Sequence, residues 1–118
     1  MTTFTQGMQP LEFLLTDEGT LSRDQETVTV AGSVALPSGT VLGKITATGK
    51  YIKQVDGAGD GSQNAAAILG TPLQGVNGDY KCLVFTRVCE VIGNRLNGGA
   101  GPSVAAKASL KALGIIVR

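Results

Sequence analysis

Histidine is absent from this 118-residue chain, which removes the usual base for activating a serine or cysteine nucleophile and the commonest metal ligand. Two cysteines remain, Cys82 and Cys89. On one uninterrupted strand their odd spacing puts them on opposite faces, where they could neither bridge nor share a metal. A bulge near Thr86 and Arg87 would reset that parity. Asp56, Asp60 and Asn64 have a sparse calcium-loop spacing, but the other ligands, including the glutamate at loop position 12, are missing. The run GAGDG at 57–61 does not link a strand to a helix as a dinucleotide fingerprint must. Lys44 and Lys50 flank a turn without the motif neighbours of a carrier-domain lysine. Arg87 and Glu90 are expected to pair on a strand, a contact that contributes little when exposed. No catalytic constellation emerges, and no cofactor or metal is implied.

The elements that would position these residues are mostly short strands between turns. ETVTVA at 26–31 alternates, with Val28 and Val30 on one face and Thr27, Thr29 and Ala31 on the other, the pattern of a half-buried strand. Leu36-Pro37-Ser38-Gly39 reads as a turn. TVLGKIT follows as a strand, and its internal Gly43 marks a bulge or a close backbone approach. KYIKQV is next, then a flexible tip at 56–62 and the apolar run AAAIL. Val76 to Asp79 contains Asn77-Gly78, a dipeptide typical of hairpin turns. Tyr80 to Ile92 is the longest strand-like segment, apolar on both faces and expected to be central. Ser103 to Leu113 is the one convincing helix, capped by Ser103 after Pro102. Its stripe is Ala106, Leu110 and Leu113, and Gly114 suits its left-handed C-terminal cap. Ile115 to Val117 closes the chain as a strand.

Bulk properties narrow the function. The net charge of +1 counts against a nucleic-acid binder. The aromatic content of 4%, with no tryptophan, weakens any role that needs stacking platforms. No apolar run reaches membrane-spanning length, and the start lacks the basic and apolar regions of a signal peptide, so synthesis and retention in the cytoplasm are expected. Residues 1–31 hold five acidic residues against Arg23, a net of −4, while residues 32–118 hold nine basic and four acidic residues, a net of +5. Such a split suits either simple solubility or a leader that meets a different surface from the body. Within the leader, broken by Pro10 and Gly19, stands the apolar knot Leu11, Phe13, Leu14 and Leu15. It packs on the domain's own core or docks on a partner, for instance by strand addition.

Four collinear blocks carry a resemblance: LSRDQETVTVA at 21–31, GTVLGKITATGKY at 39–51, DGSQNAAAIL at 60–69 and ALGIIVR at 112–118. Together they resemble the bacteriophage head decoration proteins of the lambda type. The resemblance implies a mainly β fold with one short C-terminal helix, a compact β-clip or β-tulip-like domain at 26–118 with a flexible N-terminal arm at 1–25. It implies a structural, non-enzymatic homotrimer on the capsid surface of the virion. The trimer would bind the major capsid protein at three-fold and quasi-three-fold positions of the expanded head and stabilise the shell against packaged DNA. The capsid-binding role falls on residues from about Thr2 to Glu18, with Met8, Leu11, Phe13, Leu14 and Leu15 as apolar contacts, and no nucleic acid or membrane is engaged directly. The segment NRLNGGAGP at 94–102 departs from relatives that carry a tryptophan there, which implies a looser loop. The turn at Leu36 to Leu42 also weakly resembles small β-clip modules that bind glycans, the alternative function.

Overall fold

The computed structural model describes residues 14–17, 23–99 and 101–118. Eight strands run in order: β1 (Leu14–Asp17), β2 (Arg23–Val30), β3 (Val41–Lys44), β4 (Tyr51–Lys53), β5 (Ala65–Leu69), β6 (Gly78–Phe85), β7 (Cys89–Val91) and β8 (Ile115–Val117), with helix α1 (Val104–Ala112) before the last. Five of them close a barrel in the order β2-β4-β3-β5-β6, and the other three form a separate sheet in the order β1-β7-β8. The chain is thus mainly β with one short C-terminal helix, as its patterning and the resemblance lead one to expect.

The alternation in β2 has its predicted result: Val28 and Val30 are buried, while Thr27 and Thr29 are half-buried. They join Leu42, Tyr51, Ala67, Leu69, Cys82 and Val84, drawn from all five barrel strands, in the core that fills the barrel. A second core lies outside the barrel wall. There Val41, Ile68 and Phe85 meet Cys89 and Val91 of β7, Ile115 of β8, and Ala106 and Leu110 of α1. Strands β3, β5 and β6 each serve both cores, which accounts for their apolar side chains on both faces.

Gly43 combines both features expected of it. The β3–β5 register passes from Leu42 opposite Ala67 to Gly43 opposite Ala65, skipping Ala66, as a bulge does. The loop at Ser62 also crosses so close that a Cβ on Gly43 would lie 2.1 Å from the Ser62 carbonyl oxygen. The helix is capped as predicted. Ser103 Oγ accepts from Ala106 N at 3.1 Å, and Gly114 ends the helix at φ +82°.

Four expectations are corrected. Tyr80 to Ile92 is not one strand. It breaks at Thr86–Val88, where Val88 takes φ +48°, and the two halves enter different sheets. Asp24 pins the break: Thr86 Oγ1 and Arg87 Nη2 each donate to its Oδ2 at 2.7 Å. Arg87 therefore pairs with Asp24, and Glu90 with Arg118 Nε at 2.6 Å, each partner lying far away in sequence. Asn77-Gly78 is not a hairpin tip. Gly78 opens β6, and Asn77 Oδ1 instead accepts from Ser33 N at 2.7 Å. The preceding connection is held by a two-bond bridge between Leu36 and Leu73. The cysteines are separated, but by this break rather than by strand parity: Cys82 lies in the barrel core and Cys89 in the outer one, and neither is in a disulfide.

Candidate interaction surface

The residues singled out for chemistry are each engaged in structure. Asp60 Oδ1 accepts from Ser62 N and Ser62 Oγ, at 3.0 and 2.5 Å, and these bonds hold its carboxyl below the usual range. Asp56 accepts from Gln54 Nε2 and from Ser103 Oγ at the start of α1. Lys50 pairs with Asp79 at 2.5 Å, and the bonds from Lys50 and Thr29 hold the Asp79 carboxyl low. The ammonium of Lys44 lies 5.8 Å from the Tyr51 ring centroid. Burial pushes the Cys82 thiol up, away from the thiolate that a nucleophile requires. Tyr51 is also pushed up, first by burial and then by the nearby charges of Glu26 and Asp24.

The leader enters the fold through β1, which pairs antiparallel with β7. Leu14 stands opposite Val91, Thr16 opposite Glu90 and Asp17 opposite Cys89, with an irregularity after Leu14. Leu14 is half-buried and packs against the outer core. Leu15 lies on the same strand, and Met8, Leu11 and Phe13 fall outside the described residues. Among the described residues β1 is an edge strand with β7 as its one neighbour. Such an edge carries unpaired backbone donors and acceptors available to another chain.

Val91 lies opposite both Leu14 and, on its other side, Val117 of β8. The point where the leader joins the sheet is therefore level with the C-terminal end of β8. The terminus is fixed there by Arg118 N donating to Val91 O at 2.8 Å and Gly93 N donating to Arg118 O at 2.9 Å. One end of one small sheet thus gathers the root of the leader and the chain terminus.

The family described as Bacteriophage lambda head decoration protein D matches residues 3–115. The chain belongs to this family. No curated protein matches the chain closely enough to count as a relative. The match covers most of the acidic leader, the barrel strands, β1, β7 and α1, and reaches the first residue of β8, so the leader is part of what the family shares. Head decoration is a structural task on the phage capsid, and the family places this chain in the virion.

Sequence reasoning missed two surfaces. One is an apolar cup of about 250 Å³ at the barrel end, lined by Thr29, Ala31, Val34, Leu36, Ile52, Lys53 and Val55. The other is a trough of about 430 Å³ between α1 and β8, lined by Lys107, Lys111, Ile115, Ile116 and Val117. The trough had a signal in the sequence: three consecutive apolar residues on one strand cannot all face a core. Among the described residues no helix is long and apolar enough to cross a membrane.

Proposed function

We propose that the chain forms a homotrimer that clamps major capsid protein subunits at the three-fold and quasi-three-fold positions of the expanded phage head, stabilising the shell against the pressure of packaged DNA. In this reading residues 1–25 are the capsid-binding arm and 26–118 the body that presents it. The protein is made in the host cytoplasm, acts without catalysis, and touches neither nucleic acid nor membrane directly. Met8, Leu11, Phe13, Leu14 and Leu15 supply the apolar side of the contact. The observation that carries the reading is the family match, which begins at residue 3 and so includes the arm.

The physics of such a clamp is linkage. A protein that binds only the expanded lattice stabilises that lattice by mass action. Each strand-type hydrogen bond contributes a net of about 0.5–1.5 kcal/mol, and each fully buried large apolar side chain about 1.5–3 kcal/mol. Ordering the backbone opposes this at about 1–2 kcal/mol per residue. A single arm is accordingly a weak binder. Three arms on one rigid body raise the avidity by about 10² to 10⁴. The arm is rooted firmly enough for this: β2 begins at Arg23 and pairs with β6 over its whole length, from Arg23 opposite Phe85 to Val30 opposite Gly78.

Deleting residues 2–13 tests the reading, because it removes the part of the arm that precedes β1, with Met8, Leu11 and Phe13, and leaves β1 in its sheet. The truncated chain is expected to keep its thermal transition and its trimeric native mass, and to stop cosedimenting with undecorated expanded heads. Undiminished decoration by the truncated chain would overturn the arm assignment, and a monomeric native mass for the full chain would overturn the avidity mechanism.

A further inference from the structure

We propose that the trough between α1 and β8 is a second docking site for the shell, one that receives an extended segment of a capsid subunit carrying acidic side chains beside apolar ones. The inference rests on the decoration reading above and adds a second contact to it.

The shape of the trough comes first. Its floor is formed by Ile115, Ile116 and Val117. Consecutive strand residues point to alternate faces, so a hollow that touches all three runs along the strand's edge and not over one face. The other edge is filled by β7, in parallel register from Cys89 opposite Ile115 to Val91 opposite Val117. The trough therefore lies along the open edge of β8, the position at which an incoming strand adds to a sheet. Ile116 is 48% exposed there, a large apolar side chain left beside an unpaired edge among the described residues.

Its electrostatics define the occupant. Lys107 and Lys111 stand one helical turn apart on α1 and form the opposite wall. Both side chains are exposed, and among the described residues no carboxylate lines the trough. An apolar floor under two ammonium groups selects an extended segment that alternates apolar and acidic residues. Three residues of β8 limit the paired stretch to about 10 Å, so this is a local clasp and not a long added strand.

Position identifies the source. Leu14, Val91 and Val117 are level across the sheet, so the leader's root and the end of the trough are separated by two strand spacings, about 10 Å. A shell surface engaged by the leader at that end also borders the trough. The shell subunit is the partner whose position the leader already determines.

The test uses the full chain and undecorated heads of the phage that encodes it. Ile116→Cys, labelled with a benzophenone maleimide, places a photo-crosslinker in the trough. Cys82 and Cys89 are only 2% and 4% exposed and stay unlabelled in the folded protein. Irradiation on heads is expected to give an adduct with the capsid subunit, mapping to an acidic, apolar stretch. The double variant Lys107→Glu/Lys111→Glu is expected to keep its melting temperature and to bind heads about tenfold more weakly, while Lys107→Arg/Lys111→Arg binds as the wild type does. Equal affinity for the charge-reversed variant, or adducts confined to a second copy or to the chain's own leader, would overturn the trough assignment while leaving decoration intact. Failure of the wild-type chain to bind heads would instead overturn the decoration reading, and this inference with it.

Discussion

Gly43→Ala isolates one contact on which the barrel depends. The substitution adds a single carbon, at a position where that carbon would lie 2.1 Å from the Ser62 carbonyl oxygen and 2.6 Å from the Ser62 carbonyl carbon and Cα. Ordinary contact starts at 3.4 Å, so the Ser62 backbone must retreat by about 1.3 Å. That loop is tied down by Thr46 N donating to Asp60 O at 2.9 Å and by Gln54 Nε2 donating to Gln63 O at 2.8 Å. Losing both bonds costs about 1–3 kcal/mol, and residual overpacking adds about 1–3 kcal/mol. A chain of this length changes its midpoint by roughly 1 °C for each 0.25 kcal/mol. The melting temperature is expected to fall by about 8–24 °C. Gly59→Ala is the control. It lies in the same loop, a Cβ there meets nothing within 4 Å, and its φ lies outside the left-handed region. Its midpoint should stay within about 2 °C of wild type or rise slightly, because alanine restricts the unfolded chain. Thermal unfolding followed by circular dichroism distinguishes the two. Equal midpoints for both variants would refute the close approach of the Ser62 loop to β3.

Two further outcomes are expected. Leu110→Asp places a carboxylate in the outer core, where Leu110 is fully buried among Ile68, Phe85 and Ile115; the variant should show no cooperative melt, and a normal transition would displace α1 from its assigned packing. Asp79 has a folded-state pKa below its ordinary value because of Lys50 and Thr29, so its stabilisation is present above about pH 4 and is lost as pH falls through the lower folded value. Asp79→Asn should therefore lower the midpoint at pH 7 and approach wild type as the pH falls below the ordinary carboxylate range, and a constant difference across that series of melts would contradict the assigned ion pair.

Local chemistry made much of the fold legible. Alternation located β2, the Ser103 cap and Gly114 bracketed α1, and Gly43 announced both the bulge and the close approach. The break at Thr86–Val88 was hidden for a physical reason. A strand apolar on both faces looks the same in sequence whether it lies buried between two layers or is two strands serving two sheets. The device that decides between them, Asp24 holding Thr86 and Arg87, lies some sixty residues upstream. A β-branched residue at positive φ, such as Val88, also runs against local preference. Asn77-Gly78 misled for the reverse reason: a strong local turn signal was overridden by the Leu36–Leu73 bridge and the bond to Ser33. For the candidate site, the apolar knot of the leader was visible in the sequence, and its role came from the family. The trough was legible only in part: three consecutive apolar residues at 115–117 implied one left outside a core, but only the order β1-β7-β8 places Ile116 beside an open edge.

The barrel's closure has a consequence of its own. Strands β2 and β6 are zipped through eight register pairs, whereas β2 and β4 meet in parallel through one, Val28 opposite Tyr51. The cylinder is thus a curled ribbon fastened by a single stitch. Just past that stitch the two strands diverge, and the apolar cup opens between Thr29 and Ala31 on one side and Ile52 and Lys53 on the other. Unfastening it leaves every antiparallel ladder intact, so it is the cheapest excursion available to the barrel short of melting. Amide exchange in the native state would register it as early labelling confined to the β2–β4 seam, with the β2–β6 and β3–β4 ladders still dark.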